Sequence, residues 1–277
     1  MSARPFLASR RVESVVIGLG TYDVSVDGAR GAGAQIDRGA DGRRSRRPAR
    51  FASVVVEELA QRIVSGALPA GALVPNEPAL VEQFGFSRTV IREALKLLEE
   101  RGLVRVEQGR GTTVQPRDSW NLLDPLVLRI ALAHEHDVAL LDDLIGVRRL
   151  LEREMARIAA RRLTDDELAA LSAIVDQMAN VIDDYEEFRR FDLAFHAVVM
   201  SASGSEIGRS IVRTIHRYAG DAPPLNSPGT RASLERTVTE HREILEALNA
   251  RNGELAAART AAHIESAWAE RRHTSIQ

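Results

Sequence analysis

Cysteine is absent from the 277-residue sequence, and lysine occurs only once, as Lys96. Without cysteine the chain can form no disulfide bond, thiolate metal site or cysteine nucleophile. The near-complete use of arginine as the basic residue is more typical of genome base composition than of a particular function. The abundance of arginine therefore indicates nothing by itself, and only its placement is informative.

Long apolar runs are also missing near the start of the chain. The run at residues 15–20 is far shorter than the roughly 20 apolar residues that cross a bilayer. Arg10 and Arg11 precede it, but the long apolar core and small-residue cleavage site of a secretory signal peptide do not follow. We therefore expect a cytoplasmic protein with no membrane partner.

Charge is distributed unevenly along the chain. Residues 1–50 carry a formal charge of +5, residues 51–117 are neutral and residues 118–277 carry −7. Residues 1–49 lack helical or strand periodicity and end in a basic patch, so they are predicted to be a disordered tail. Such a tail could contact DNA phosphates, or it could result from an upstream start codon. At 277 residues the chain exceeds the usual size of a single domain, which favours two domains.

The most informative stretch, residues 78–102, has the pattern of a helix-turn-helix. Gly85 stands where the chain reverses, and Ser87 is a candidate N-cap for the second helix. Arg88 and Arg92 lie four residues apart, opposite an apolar stripe. Guanidinium groups placed in this way can bind guanine edges or phosphates in a major groove. The alternative is an ordinary solvated helix face.

The flanking sequence completes a winged helix-turn-helix domain over residues 50–117. A helix is predicted from Phe51, with Ser53 as its N-cap. After residue 102, two short β-branched runs flank a turn in which Arg110 lies between two glycines, and this pattern indicates a β-hairpin. Arg110 could enter a groove or contact phosphate, although the same pattern fits an ordinary exposed turn.

This domain resembles the DNA-binding domain of GntR-family transcription regulators. The resemblance covers about residues 51–117 and is carried by the run Ser-Arg-Thr-Val-Ile-Arg-Glu-Ala-Leu at 87–95 and by the wing glycines. It implies a DNA contact for several residues of the second helix and the wing. These are Arg88 and Arg92 for bases or phosphates, Ser87 and Thr89 for the DNA backbone, and Gly109 for the minor groove.

The start of the helix-turn-helix departs from the family pattern. Many members have an arginine early in its first helix, where this chain has Asn76-Glu77-Pro78-Ala79. Proline suits the first turn of a helix, but Pro78 cannot supply that DNA contact. We therefore expect operator affinity or sequence preference to differ from that of the family.

Beyond the wing, the sequence predicts a helical domain over residues 125–272. Residues 118–124 are predicted to be a linker, with Trp120 and Pro125 docking it on this domain. Apolar periodicity is helical almost throughout, and Thr164 and Glu167 form a capping box. The predicted helices are 125–134, 137–161, 165–182, 185–202, 206–219, 230–250 and 254–272, with a loop at 219–229. The expected fold class is mostly α, with an N-terminal winged helix-turn-helix and a C-terminal all-α bundle of six or seven helices.

Four titratable residues of the bundle form a candidate metal site. Asp192 and His196 leave the same face of one helix, while His241 and His263 lie on the last two helices. One carboxylate and three imidazoles suit a borderline divalent metal. Each histidine could instead be a core or surface residue. The remaining histidines, interpreted as surface or packing residues, are His134, His136, His216 and His273.

The order and intervals of these four residues resemble the FCD effector domain of FadR-type GntR regulators, over about residues 125–270. The resemblance implies a divalent metal, zinc or alternatively nickel or manganese, at the floor of a cavity that binds a small organic acid. It also implies that an arginine of the first long helix faces the cavity. Arg148 is the candidate for the acid's carboxylate, and Arg149 is the alternative. The run 120–129 is further similar to regulators of sugar-acid catabolism.

The sequence therefore predicts a homodimeric transcription regulator, a repressor, that binds double-stranded operator DNA and responds to a small organic acid. A metal-dependent enzyme acting on such an acid is the competing hypothesis, but no general base is evident beside the ligands. A third hypothesis is a regulator whose metal is purely structural. The complete DNA-binding module favours a regulator over an enzyme.

Overall fold

The computed structural model describes residues 43–107, 109–134, 138–219 and 229–274. Within them the chain is mostly helical, with a two-stranded hairpin near the N-terminal end. The predicted fold class is confirmed. Most of the predicted tail lies outside the described residues, as does most of the predicted loop at 219–229. None of the described helices is both long and apolar enough to span a membrane.

The N-terminal part is a winged helix. Its helices are α1 (Arg43–Val64), α2 (Glu77–Phe84) and α3 (Arg88–Glu100), and its strands are β1 (Val104–Glu107) and β2 (Gly111–Val114). The strands pair antiparallel, with Val104 opposite Val114. Buried apolar side chains from α1, α2, α3 and the hairpin form a single core cluster.

The start of α1 was predicted wrongly. The helix begins at Arg43 rather than Phe51, so residues 43–49 belong to it and not to a tail. Ser53 lies inside the helix, where its hydroxyl donates to the carbonyl of Arg50 at 2.8 Å instead of capping. Residues 43–50 have no apolar stripe and include Pro48, which lacks a backbone N–H and is unfavourable inside a helix. Periodicity alone does not detect such a turn.

The turn between α2 and α3 agrees with the sequence prediction. Gly85 ends α2 in the left-handed conformation with φ 69°, which costs glycine little because it has no Cβ. Ser87 is the N-cap of α3 and accepts from the backbone N–H of Val90 at 3.4 Å. Asn76 caps α2 by accepting from Ala79 at 3.0 Å. Both helices of the motif therefore begin at side-chain caps.

The linker docks on the winged helix and not on the following domain as predicted. Trp120 packs against the winged-helix core, and its indole N–H donates to the carbonyl of Gln115 at 3.2 Å. In the next helix, α4 (Pro125–His134), Val127 and Ile130 belong to the same core. The opposite face of α4 packs on the C-terminal bundle through Leu128 and its neighbours. This helix therefore belongs to both cores, which a boundary drawn from composition could not show.

The C-terminal bundle contains six further helices in the described ranges. Helix α5 packs against α7, α8 and α10, while α6 packs against α7 and α9. The Thr164–Glu167 capping box at the start of α6 is confirmed. The helices are α5 (Val138–Ala159), α6 (Asp165–Asn180), α7 (Tyr185–Ser203), α8 (Glu206–Ala219), α9 (Arg231–Asn249) and α10 (Gly253–Thr274).

Candidate functional site

The structure brings together the four residues that were predicted from the sequence as candidate metal ligands. Helix α7 supplies Asp192 and His196, α9 supplies His241 and α10 supplies His263. One ligand atom from each residue lies within 4.8 Å of all the others. The side chains of the three histidines are at most 3% exposed and that of Asp192 is 24% exposed. Three packed helices thus aim one carboxylate and three imidazoles at one point.

Two distances within the cluster are those expected around a small cation. Asp192 Oδ1 lies 3.3 Å from His241 Nε2 and 3.9 Å from His196 Nε2. Two ligands at zinc distances from one ion are themselves separated by roughly 3–4 Å. His241 Nε2 is buried and has no hydrogen-bond partner among the described residues. A buried nitrogen left in this state is costly, and a metal ion would satisfy it.

The outer nitrogen of each histidine faces an oxygen acceptor. His241 Nδ1 lies 2.8 Å from the carbonyl oxygen of Thr237, and His263 Nδ1 lies 2.8 Å from Glu240 Oε2. His196 Nδ1 lies 2.6 Å from Glu152 Oε2, a short polar contact outside ideal hydrogen-bond geometry. Such acceptors favour a proton on Nδ1, which leaves the Nε2 lone pair for a metal.

Electrostatics keep the cluster suited to a cation. Burial favours the protonated form of Asp192, but the three neighbouring histidines and Arg148 hold the pKa of its carboxyl well below the ordinary value. Burial, followed by the proximity of His263, lowers the pKa of His241 to about 3. His241 is therefore neutral at physiological pH, as a metal ligand must be.

Arg148 lies beside this cluster, whereas Arg149 does not. The side chain of Arg148 is 13% exposed, and its Nη2 lies 3.5 Å from His196 Nε2. Arg149 is 36% exposed and forms an ion pair with Glu265 of α10 at 3.0 Å. Of the two arginines considered from the sequence, Arg148 is therefore the one placed to meet a ligand at the cluster.

Sequence reasoning missed two residues of this site. Glu152 was not among the predicted site residues, although its spacing of four from Arg148 could have indicated an ion pair. His216 on α8 was interpreted as a surface or packing residue, but its Nε2 lies 3.4 Å from Glu152 Oε1 and its ring meets that of His196 edge-on. No sequence pattern connects His216 with residues more than 60 positions away.

The candidate DNA-binding residues lie on one exposed face of α3. Ser87, Arg88, Thr89 and Arg92 are all solvent-exposed. Arg92 Nε donates to both carboxylate oxygens of Glu77, at 3.0 and 2.9 Å. Two guanidinium groups therefore leave the first turns of α3 together, one of them oriented by a carboxylate of α2.

The wing presents its tip to solvent. Gly109 has a φ of 80°, and Arg110 is exposed with its Nη1 3.7 Å from Glu107 Oε2. Gln108, part of the predicted turn, lies outside the described residues. The backbone N–H of Val106 donates to Glu99 Oε1 at 2.9 Å, so the first strand of the wing is attached to α3.

Comparison with known protein families finds a match for the winged helix and another for the helical bundle. The model of "Bacterial regulatory proteins, gntR family" matches residues 51–114, and that of the FCD domain matches residues 143–266. The galactonate operon transcriptional repressor of Escherichia coli K12 is 30% identical over 202 residues, covering 73% of this chain and 88% of the repressor. The chain belongs to the GntR family.

Further relatives support this assignment. The GntR-family chain is 30% identical to the transcriptional regulator LutR of Bacillus subtilis over 206 residues, covering 73% of this chain and 92% of LutR. A solved structure of Lar, which controls the expression of the Listeria monocytogenes agr system, has a TM-score of 0.51 and 18% identity over 80% of this chain and 96% of its own. That structure supports the fold alone. The relatives and the two matched families are those of transcription regulators with an FCD effector domain, and not of enzymes.

Proposed function

We propose that this GntR regulator is a homodimeric repressor whose operator affinity is controlled by a small organic acid. The observation that carries this proposal is the position of Arg148 Nη2, 3.5 Å from a nitrogen of the four-residue cluster. A carboxylate bound there could contact the cluster's metal and the guanidinium at once. Arginine is suited to this role because its planar fork pairs with a carboxylate.

Asp192, His196, His241 and His263 would hold the metal. Zinc fits three imidazoles and one carboxylate, with nickel or manganese as alternatives. When bound, the metal would supply a localised positive charge, and the acid would join it as a ligand in addition to these four residues. The protein residues fix where that acid lies, since Arg148 is nearly buried on one side of the cluster.

A sugar acid is the effector class that we propose. The supporting observation is the similarity to the galactonate operon repressor, 30% identical over most of its length. A sugar acid offers one carboxylate for Arg148 and the metal, together with hydroxyl groups for the buried polar residues nearby, such as His216. Galactonate and other acids of this class are therefore the first compounds to test.

On the DNA side, Arg88 and Arg92 are proposed to contact bases or phosphates, and Ser87 and Thr89 the backbone. Gly109 would let the wing approach the minor groove and Arg110 would contact the same region. A homodimer presents two copies of α3, so a short palindrome is expected as the operator. The protein would work where the bacterial chromosome is, in the cytoplasm.

The test is a titration of the full-length protein against its own promoter DNA at fixed salt, with and without zinc and galactonate. Tighter binding to the promoter than to a scrambled duplex is expected. Coupling of ~1–3 kcal/mol between acid and DNA would weaken promoter binding by roughly 5- to 150-fold. Equal affinity for both duplexes would sink the proposal of specific DNA binding.

The effect of removing the metal distinguishes a regulatory metal from a structural one. Purified protein would be analysed by elemental mass spectrometry and melted with and without a chelator. If the metal is regulatory, chelation should abolish the response of DNA binding to the acid while the metal-free protein still binds the promoter. If it is purely structural, chelation should lower the melting temperature and the acid should have no effect in either state.

A further inference from the structure

Glu152 is a buried carboxylate at the centre of the effector domain. Its side chain is 2% exposed and lies on α5, one turn after Arg148. Burial alone would raise the pKa of Glu152, but Arg148 and His196, together with contacts from His196 and His216, bring it well below its ordinary value. Glu152 is therefore a buried carboxylate that contacts one arginine and two histidines, and it lies outside the proposed set of metal ligands.

Each oxygen of Glu152 contacts a different part of the site. Oε1 accepts from Arg148 Nε at 2.6 Å and lies 3.4 Å from His216 Nε2. Oε2 lies 2.6 Å from Nδ1 of His196. One carboxylate thus touches both the arginine proposed to bind the effector and one of the proposed metal ligands.

The contact with Glu152 determines how Arg148 is presented. With Nε held by Oε1, the Nη2 end of the guanidinium lies 3.5 Å from Nε2 of His196. Nε2 is the nitrogen that would bind a metal. An ion at that nitrogen would take up its lone pair, which Arg148 Nη2 now faces, and would add positive charge beside the guanidinium. Metal binding and the position of the guanidinium would then depend on each other.

We propose that Glu152 is a positioning residue that couples metal binding at His196 to the placement of Arg148. The inference rests on the proposed function, because it assumes a metal at the cluster. A metal on Nε2 requires the proton of His196 to be on Nδ1, where the carboxylate of Glu152 is the neighbouring acceptor. Binding or loss of the metal is thereby transmitted through Glu152 to Arg148 Nε. The guanidinium of Arg148 is then turned toward the effector or away from it.

Glu240 provides a matched comparison. Its Oε2 lies 2.8 Å from Nδ1 of His263, so it holds a second ligand histidine as Glu152 holds His196. No contact between Glu240 and Arg148 is found among the described residues. Loss of either carboxylate should weaken metal binding, but only loss of Glu152 should disconnect Arg148 from the metal.

The experiment observes Arg148 directly by nitrogen-15 NMR of the arginine Nε–H groups in the full-length protein. Arg148→Lys assigns the resonance by its disappearance. In the wild type we expect a slowly exchanging Arg148 signal that moves when Zn²⁺ is added. In Glu240→Gln the zinc affinity should fall roughly 10- to 100-fold, and the signal should still move once zinc saturates.

In Glu152→Gln we expect a similar loss of zinc affinity together with faster exchange of the Arg148 signal and, at saturating zinc, a clearly smaller movement than in the wild type, because only the direct effect of the nearby ion remains. Glu152→Asp keeps the charge but is shorter, and it should restore part of the response. An Arg148 signal that responds to zinc equally in wild type and Glu152→Gln would overturn the inference. A wild-type signal that does not move at saturating zinc would also overturn it. This measurement uses only the wild-type protein, so it does not depend on whether a variant folds.

The same samples distinguish this inference from the proposed function. If zinc moves the Arg148 signal through Glu152 but no acid releases promoter DNA, the coupling stands and the effector proposal fails. If zinc does not bind the wild-type protein at all, both the metal site and the coupling are overturned.

Discussion

Arg92 of α3 and Glu77 at the start of α2 form an ion pair in which Arg92 Nε donates to both carboxylate oxygens, at 3.0 and 2.9 Å. Their side chains are 69% and 33% exposed. Glu77 therefore places a negative charge on the face proposed to meet DNA while it restricts the orientation of Arg92. Pro78, where the sequence was expected to lack a DNA contact, is the next residue.

Glu77→Gln is predicted to change specific and non-specific DNA binding differently. Removing a negative charge beside phosphates should strengthen binding to a scrambled duplex. Discrimination in favour of the promoter should fall by up to roughly 5-fold, because an exposed ion pair contributes about 0–1 kcal/mol to the orientation of Arg92. Titration of both duplexes at several salt concentrations measures the two effects separately.

Glu82→Gln is the matched control for this substitution. Glu82 is also on α2 and is exposed, so the variant makes the same change in charge. It should alter promoter and scrambled binding by similar factors. If Glu77→Gln did the same, the ion pair would have no role in specificity.

Arg88→Ala and Arg92→Ala are each predicted to weaken promoter binding by ~1–3 kcal/mol if the side chain makes a bidentate base contact. Loss of a phosphate contact alone would instead weaken both duplexes alike and reduce the salt dependence. Arg153→Ala, an exposed arginine on α5, removes the same charge away from α3. An Arg153→Ala effect as large as that of Arg88→Ala would contradict the assignment of α3 to DNA recognition.

The sequence was sufficient for features that depend on local pattern. Helical periodicity predicted the start of α4 and α7 at the residues observed, and the caps at Ser87 and Thr164 follow from residue type and spacing. The intervals among the four ligand candidates, compared with a known family, also predicted their convergence. These are properties of one helix or of a recognised family pattern.

Features that depend on packing between distant segments were not predictable in this way. The contacts of Glu152 with His196 and His216 join α5 to α7 and α8, across 44 or more positions of the chain. Trp120 could have packed on either neighbouring domain, since its apolar ring indicates burial but not the partner. The extra turns of α1 lack an apolar stripe and therefore lack the pattern on which helix prediction depends.

Arg148→Lys is predicted to weaken binding of the acid effector by ~1.5–3 kcal/mol, roughly 10- to 150-fold, because lysine cannot reproduce the planar fork. Calorimetry with galactonate in the presence of zinc would measure the change. Arg149→Lys is the control, since Arg149 is next in sequence but pairs with Glu265 on the outside of the bundle. Equal losses in the two variants would argue against a specific role for Arg148.

Stability of the metal-free protein is predicted to fall on mild acidification. Burial, and then nearby cationic groups, lower the pKa of His216 to about 4 and that of His241 to about 3. Above about pH 6.5 both residues are neutral folded and unfolded. Between pH 6.5 and about 4 only the unfolded chain binds these protons, so stability should decrease by roughly 1 kcal/mol per pH unit for each histidine.

Chemical denaturation with a chelator present, at intervals from pH 7.5 to 5, would measure this slope. His216→Gln should remove the contribution of one histidine and make the dependence shallower. A slope that is the same in the variant, or no dependence between pH 6.5 and 5, would contradict the prediction that His216 is buried in its neutral form.

Two glycines with positive φ are predicted to respond differently to alanine. Gly102 has a φ of 73°, and a Cβ there would overlap with the carbonyl oxygen of Ser119 in the linker. Gly85 has a φ of 69° but open space around the position of a Cβ. Gly85→Ala should therefore cost only the left-handed conformation, about 1 kcal/mol. Gly102→Ala should cost several times more, because a backbone oxygen must move, and should release the linker and Trp120 from the winged helix. Thermal denaturation with tryptophan fluorescence would show both effects, and similar melting temperatures for the two variants would mean that Ser119 does not pack against Gly102.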